Sequence, residues 1–223
     1  MKNIILKTGM IVVISIFSIG NIVHSQHIEE SVLIKNLKSS NWQERASSAI
    51  KLGSKGTLKN SLTPLLEVLK EECANPTPSP SNTSKGYTSD HLKGAYQNAL
   101  IEIGKQNKKE VISRLQQEYI KGTPKSAFQR RITIILGYLK CEEVFDQLVD
   151  IVLNSKDDYD RTEACLALGH LRRKEASPIL NRVWNDPFRV EISHPPECAL
   201  IAYPIQGAAK AALELLGEEN FSK

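Results

Sequence analysis

A strong charge of one sign is missing from this chain: 29 Lys and Arg stand against 25 Asp and Glu, a formal balance of +4 over 223 residues. Two of the positive charges, Lys2 and Lys7, sit in an N-terminal segment without acids, and without that segment the balance falls to +2. So small a surplus, spread along the chain, gives no electrostatic pull toward nucleic acid or an anionic membrane, and neither is expected as a partner. Aromatic residues are few, at 6%, beside 41% apolar and 24% charged residues. That composition excludes a collagenous, low-complexity or wholly disordered protein. Cysteine is limited to Cys73, Cys141, Cys165 and Cys198, with no Cys-x-x-Cys pair, so neither a dithiol redox motif nor a zinc knuckle is signalled. No Gly-x-Ser-x-Gly elbow occurs, and Gly104-Lys105 lacks the upstream glycine and following Ser or Thr of a phosphate loop. No catalytic residue, cofactor or metal is expected on these grounds.

The N-terminus carries an address. Residues 1–25 begin Met-Lys-Asn-Ile-Ile-Leu-Lys, continue in an uncharged apolar stretch from Thr8 to Val23, and end Val23-His24-Ser25. A basic end, an apolar run and small or apolar side chains at alternate positions before the junction make a secretory signal peptide pattern. Cleavage is expected after Ser25, because the run is shorter than the ~20 apolar residues of a spanning helix and is interrupted by Gly20 and Asn21. The mature chain, 26–223, is therefore expected to be exported, periplasmic or extracellular, and free of the membrane. The four thiols then face a compartment in which disulfides form, and three complete pairings are open to them.

A recurring pair, aliphatic residue then glycine, supplies a ruler: Leu52-Gly53, Ile103-Gly104, Leu136-Gly137, Leu168-Gly169 and Leu216-Gly217. Four residues before each glycine stand Ala49, Leu100, Thr133, Cys165 and Leu213, and five before stand Ser48, Ala99, Ile132, Ala164 and Ala212. With the residue just before glycine they form an i, i+3, i+4 helical stripe rich in small side chains, and the glycine is expected to end the helix through positive φ. A second amphipathic segment follows: Leu115, Leu148 and Leu180 lie 11 residues after their glycines, and Leu66 lies 13 after Gly53. Pro64 and Pro178 are expected in the first turn of such second helices, where a missing N–H costs little. The glycine spacings, 51, 33, 32 and 48, locate two insertions, at 74–90 and 186–204. The first reads as a flexible Pro/Ser/Thr-rich loop. In the second, Phe188-Arg189-Val190-Glu191-Ile192 alternates like a short strand before His194-Pro195-Pro196 stops it. Both insertions follow a second helix and precede a first one, so both emerge from the same edge and can form a shared rim.

The blocks Arg45-Ala46-Ser47-Ser48-Ala49-Ile50-Lys51-Leu52-Gly53 and Arg161-Thr162-Glu163-Ala164-Cys165-Leu166-Ala167-Leu168-Gly169-His170-Leu171, each followed by a proline-bearing second helix, resemble HEAT repeats of the short bacterial, phycobilisome-lyase-like type. The resemblance covers roughly residues 28–217. It implies an all-α fold: a right-handed α-solenoid of about five helical hairpins with two inter-repeat insertions, occupying 26–223 as one domain. It also implies an arginine that ties repeats together, present as Arg45 and Arg161 and replaced by Tyr96 and Gln129 in copies two and three. One enzyme class built on such repeats binds di-iron through His-Glu dipeptides, and this chain has none.

In the family the second helices line the concave face, which here points to Glu67, Gln117, Asp150, Asn181 and Arg182, with Val68 at an equivalent position. Phe188, Arg189 and His194 join them from the second insertion. A groove of such mixed chemistry suits a protein surface better than a polyanion, which would call for a stripe of Lys or Arg. The expected function is thus non-enzymatic binding of another protein, as scaffold, adaptor, inhibitor or immunity-type partner. The alternative is an enzyme or a small-ligand or metal carrier with its site under 186–204, using His194 and Cys198. His170, just past Gly169, is expected to cap a helix C-terminus, and Trp184 to pack between repeats.

Overall fold

A computed structural model describes residues 29–79, 87–187, 190–193, 199–202 and 204–217. The segment 1–25 lies outside these, as do Phe188, Arg189, His194 and Cys198.

The described chain is helical apart from one two-stranded hairpin. It opens with α1 (29–36), α2 (Trp42–Lys55) and α3 (Leu58–Ala74). Next come α4 (Tyr87–Gln106), α5 (Lys108–Lys121), α6 (Ala127–Tyr138), α7 (Phe145–Asn154), α8 (Asp158–Leu171) and α9 (Ser177–Val183). Strands β1 (Val190–Ser193) and β2 (Ala199–Ala202) pair antiparallel with Val190 opposite Ala202, and α10 (Pro204–Leu215) follows. Local chemistry sets several starts. Asn41, Ser126 and Asp157 accept hydrogen bonds from the backbone N–H groups of Gln43, Gln129 and Asp160, satisfying donors that a helix start leaves free.

The start of α3 is capped from a distance. The Glu30 carboxylate, buried on α1, accepts from the Thr57 N–H at 2.6 Å, the Ser61 hydroxyl at 2.6 Å and the Asn60 amide at 3.0 Å. One carboxylate thus closes a helix N-terminus and fixes α1 to it.

The first helices pack in succession: α2 on α4, α4 on α6, α6 on α8 and α8 on α10. The second helices fill in beside them, α5 against α4 and α6, α7 against α6 and α8. Leu66, Leu115, Leu148 and Leu180 are all buried in a core cluster that runs from Leu33 to Leu213. Each such leucine adds ~1.5–3 kcal/mol by leaving water.

The glycines depart from expectation. Gly53, Gly104, Gly137 and Gly169 lie inside α2, α4, α6 and α8, and among the described residues only Gly217 is a glycine with positive φ. Their role is contact: a Cβ on Gly53 would stand 2.7 Å from the Ala99 Cα, and one on Gly169 would stand 2.6 Å from the Ala212 Cα. Ala99 and Ala212 hold the same place in the ruler, five before the next glycine. The left-handed residue that closes α6 is Lys140, at φ 57°. Lys140 N–H bonds Gly137 O and Cys141 N–H bonds Leu136 O, the paired bonds of a Schellman close. Arg172, at φ 59°, ends α8. Both lie three residues past their glycine.

Two further expectations are corrected. Pro178 begins α9, but Pro64 sits inside α3, because that helix already starts at Leu58. The same longer α3 buries Val68, so the exposed face in copy one carries Glu67 and not Val68. Of the first insertion, 87–90 is the opening of α4, and its start is tethered by Thr77, which donates from N–H and hydroxyl to Glu72 and accepts from Arg45. The second insertion contains the anticipated strand, but also a partner strand at 199–202 that alternation did not announce.

Candidate functional site

The segments leaving α3, α5 and α7 border a common open cleft of about 790 Å³, lined by Pro76 after α3, Lys125 after α5 and Ser155, Lys156 and Asp157 after α7. Its remaining walls are the first turns of α4 (Ser89, Asp90, Lys93), Arg130 of α6, and Asp150, Ile151 and Asn154 of α7. The first insertion leaves α3 at this cleft, through Pro76. The cleft includes no residue of 186–204.

Charges of both signs line it, and most are already paired. Asp150 accepts from Asn154 at 2.7 Å and stands 3.8 Å from the Lys125 ammonium. Asp157 caps α8. Arg130 donates through Nε to Asp160 at 2.6 Å and through Nη1 to the Lys125 carbonyl at 2.7 Å. Lys93, 8% exposed, meets Asp90 at 2.9 Å.

Behind the cleft lies a buried polar cluster. Arg131 and Asp160, each 1% exposed, approach to 2.7 Å as an ion pair whose alignment falls outside hydrogen-bond geometry. The Arg131 guanidinium stacks on Tyr159, 4.3 Å from the ring centroid. Gln97 of α4 donates to Glu163 of α8 at 2.6 Å, and the Tyr138 hydroxyl donates to the same carboxylate oxygen at 3.2 Å. Burial pushes the Asp160 carboxyl up against the downward pull of Arg131 and Arg130, and burial together with Glu163 pushes the Tyr138 phenol up.

The tie between repeats is kept where its arginine is lost. Arg161 donates through Nε to the Val152 carbonyl at 3.1 Å and pairs with Asp186. Gln129, in the register of Arg161, donates to the Tyr119 carbonyl at 3.1 Å. Tyr119 and Val152 occupy equivalent positions, four after Leu115 and Leu148, so glutamine makes the same backbone bond. Tyr96 is instead a buried core residue.

Glu67, Gln117, Asp150, Asn181 and Arg182 are all exposed on α3, α5, α7 and α9. Only Asp150 of the five reaches the cleft. The cleft lysines and Ser89 were not singled out by sequence reasoning. Ser89 and Lys93 come from the start of α4, Lys125 from the segment after α5 and Lys156 from the segment after α7, stretches that no local pattern connects. His170 lies in the last turn of α8, where burial first, then Lys105, Lys140 and Arg172, lower its pKa, and its ring lies 4.8 Å from that of Tyr138. Trp184 is half-buried against the core. Cys73, Cys141 and Cys165 are free thiols. No family model matches this sequence, and no curated protein matches it.

Proposed function

We propose that the chain is an exported, HEAT-like α-solenoid that binds another protein through the exposed second-helix side chains and the edge from which its loops emerge. The observation that carries this reading is the meeting of three successive inter-repeat junctions on one cleft, beside exposed side chains of mixed charge at Glu67, Gln117, Asp150, Asn181 and Arg182. Successive packing of α2, α4, α6, α8 and α10 supports the solenoid. The basic, apolar and small-residue order of 1–25 supports export, with Gln26 as the mature N-terminus.

The test is affinity capture by the mature chain from the exported fraction of its own cell, followed by mass spectrometry. Three baits are compared: wild type, the pair Asp150→Lys and Arg182→Glu, and a chain lacking 186–204. A stoichiometric protein held by wild type and lost from the charge-reversed chain is the expected result. Identical capture by all three, or none by wild type, rejects the binding face. N-terminal sequencing of the exported chain checks the address: a start at Gln26 is expected, and an intact Met1 counts against it.

A further inference from the structure

The close glycine contacts that join the first helices fail at one joint. Gly53 meets the Ala99 backbone, Gly169 meets the Ala212 backbone, and a Cβ on Gly137 would stand 3.0 Å from the Ala167 Cβ. By these contacts α2 closes on α4, α6 on α8 and α8 on α10. At the α4–α6 joint, α6 carries Ile132 at the ruler position of Ala99 and Ala212, and Gly104 meets the tip of the Leu139 side chain instead of a backbone. Packing between α4 and α6 is correspondingly sparse. Helix α5, which lies against both, buries only Val111 and Leu115 of its 14 residues. The described chain thus falls into two well-packed blocks, α1–α4 and α6–α10, on either side of a thin joint.

A polar seam spans that joint. Packed helices stand 8–10 Å apart, so α4 and α8, with α6 between them in a straight row, would be ~16–20 Å apart. They meet instead over α6: the Tyr159 hydroxyl lies 2.6 Å from where a Gly94 Cβ would stand, and Gln97 donates to Glu163 at 2.6 Å. Tyr138 of α6 donates to the same carboxylate oxygen, and Arg131 stacks on Tyr159 and donates to Gln97 at 3.4 Å. Groups of this kind recover hydrogen bonds from water when they part, so a polar seam separates at far less cost than an apolar one. The 790 Å³ cleft lies across the same joint, with Asp90 and Lys93 of α4 on one wall and Arg130, Asp150 and Asn154 of α6 and α7 on the other. We infer that α5 is a hinge on which the two blocks open and close across this cleft, and that the clasp of Gln97, Glu163 and Tyr138 holds them closed. The device belongs to the chain alone and does not depend on the protein-binding reading.

The experiment is hydroxyl-radical footprinting of the full mature chain, read by mass spectrometry, with X-ray scattering from the same samples. Tyr138 and Tyr159, half-buried in the seam, report its opening, and Tyr96, 1% exposed in the core of the first block, reports unfolding. In Gln97→Ala, oxidation of both seam tyrosines should rise several-fold and the radius of gyration should increase, while Tyr96 stays at its wild-type level. Gly94→Leu wedges α4 from α8 and leaves every side chain of the clasp in place. It should expose Tyr138 as well as Tyr159, since a hinge opens the whole seam. Asn98→Ala, on the exposed face of α4, should change none of these readings. Unchanged seam tyrosines in Gln97→Ala, an equal rise at Tyr96 or an unchanged radius of gyration would overturn the hinge, as would a Gly94→Leu chain in which Tyr159 alone responds. If Gly94→Leu does not fold, Gln97→Ala against Asn98→Ala decides alone.

Discussion

Glu30 is a single side chain on which two helices depend. Burial alone would raise its pKa, but hydrogen bonds from Ser61, Asn60 and Thr57 outweigh that and hold it below its ordinary value. A carboxyl with a depressed folded-state pKa contributes stability that is present above its unfolded value, 4.5, and is lost as pH falls through the folded one. Glu30→Gln should therefore cost about 1–2 kcal/mol at pH 7 in urea unfolding. The gap between variant and wild type should close progressively below about pH 4.5; a gap independent of pH would show that charge plays no part. The thiols make a second residue-scale prediction. Burial pushes Cys165 up to about 12 and Cys141 up to about 11, the latter also through its bond to Glu143. Both should resist a thiol reagent at neutral pH in the native chain and react at once in denaturant.

At the scale of the helix, glycine sorts by what faces it. Gly53 and Gly169 meet the backbones of Ala99 and Ala212, whereas Gly207, exposed in α10, has nothing within 4 Å of where a Cβ would stand. Gly53→Ala and Gly169→Ala should each destabilise by ~1–3 kcal/mol through overpacking. Gly207→Ala should stabilise by ~0.5–1 kcal/mol, since it removes a helix-interior glycine. Thermal unfolding of the three variants gives the comparison, and equal shifts of one sign would refute it. The ruler itself was legible, because an amphipathic stripe writes a spacing that any helix must obey, and all four of its leucines are buried. The purpose of the glycines was not. An aliphatic residue followed by glycine fits a helix end and a close contact equally well, and only the small residue on the facing helix separates them. The role of Gln129 was hidden for a related reason: the contact depends on reaching one carbonyl, which its amide does as the Arg161 guanidinium does.

For the whole molecule, the Arg131–Asp160 pair joins α6 to α8 at full burial, while Gln97 and Glu163 link α4 to α8 around it. Arg131→Met or Asp160→Leu alone should cost about 3–5 kcal/mol by stranding a buried charge, and the double variant less than their sum. A double-mutant cycle measures this, and additivity would show the pair to be uncoupled. Scattering tests the solenoid: a compact globule of the mature length has a radius of gyration of about 16 Å, and an elongated array exceeds it. The candidate cleft was the least legible part of the sequence, since Ser89 with Lys93, Lys125 and Lys156 belong to three different stretches that only the packed helices bring together. The stack also has two unlike margins. Turns from a first helix to the next element are brief, one residue at Asn107 and two at Gly56–Thr57, whereas the opposite junctions run to the twelve residues of 75–86 and the twenty of 184–203. One margin is locked by the helix pairs it joins, while the other can lengthen without moving a helix. A lineage of such chains could therefore acquire new specificities by insertion along that margin alone, keeping its architecture while changing what it recognises.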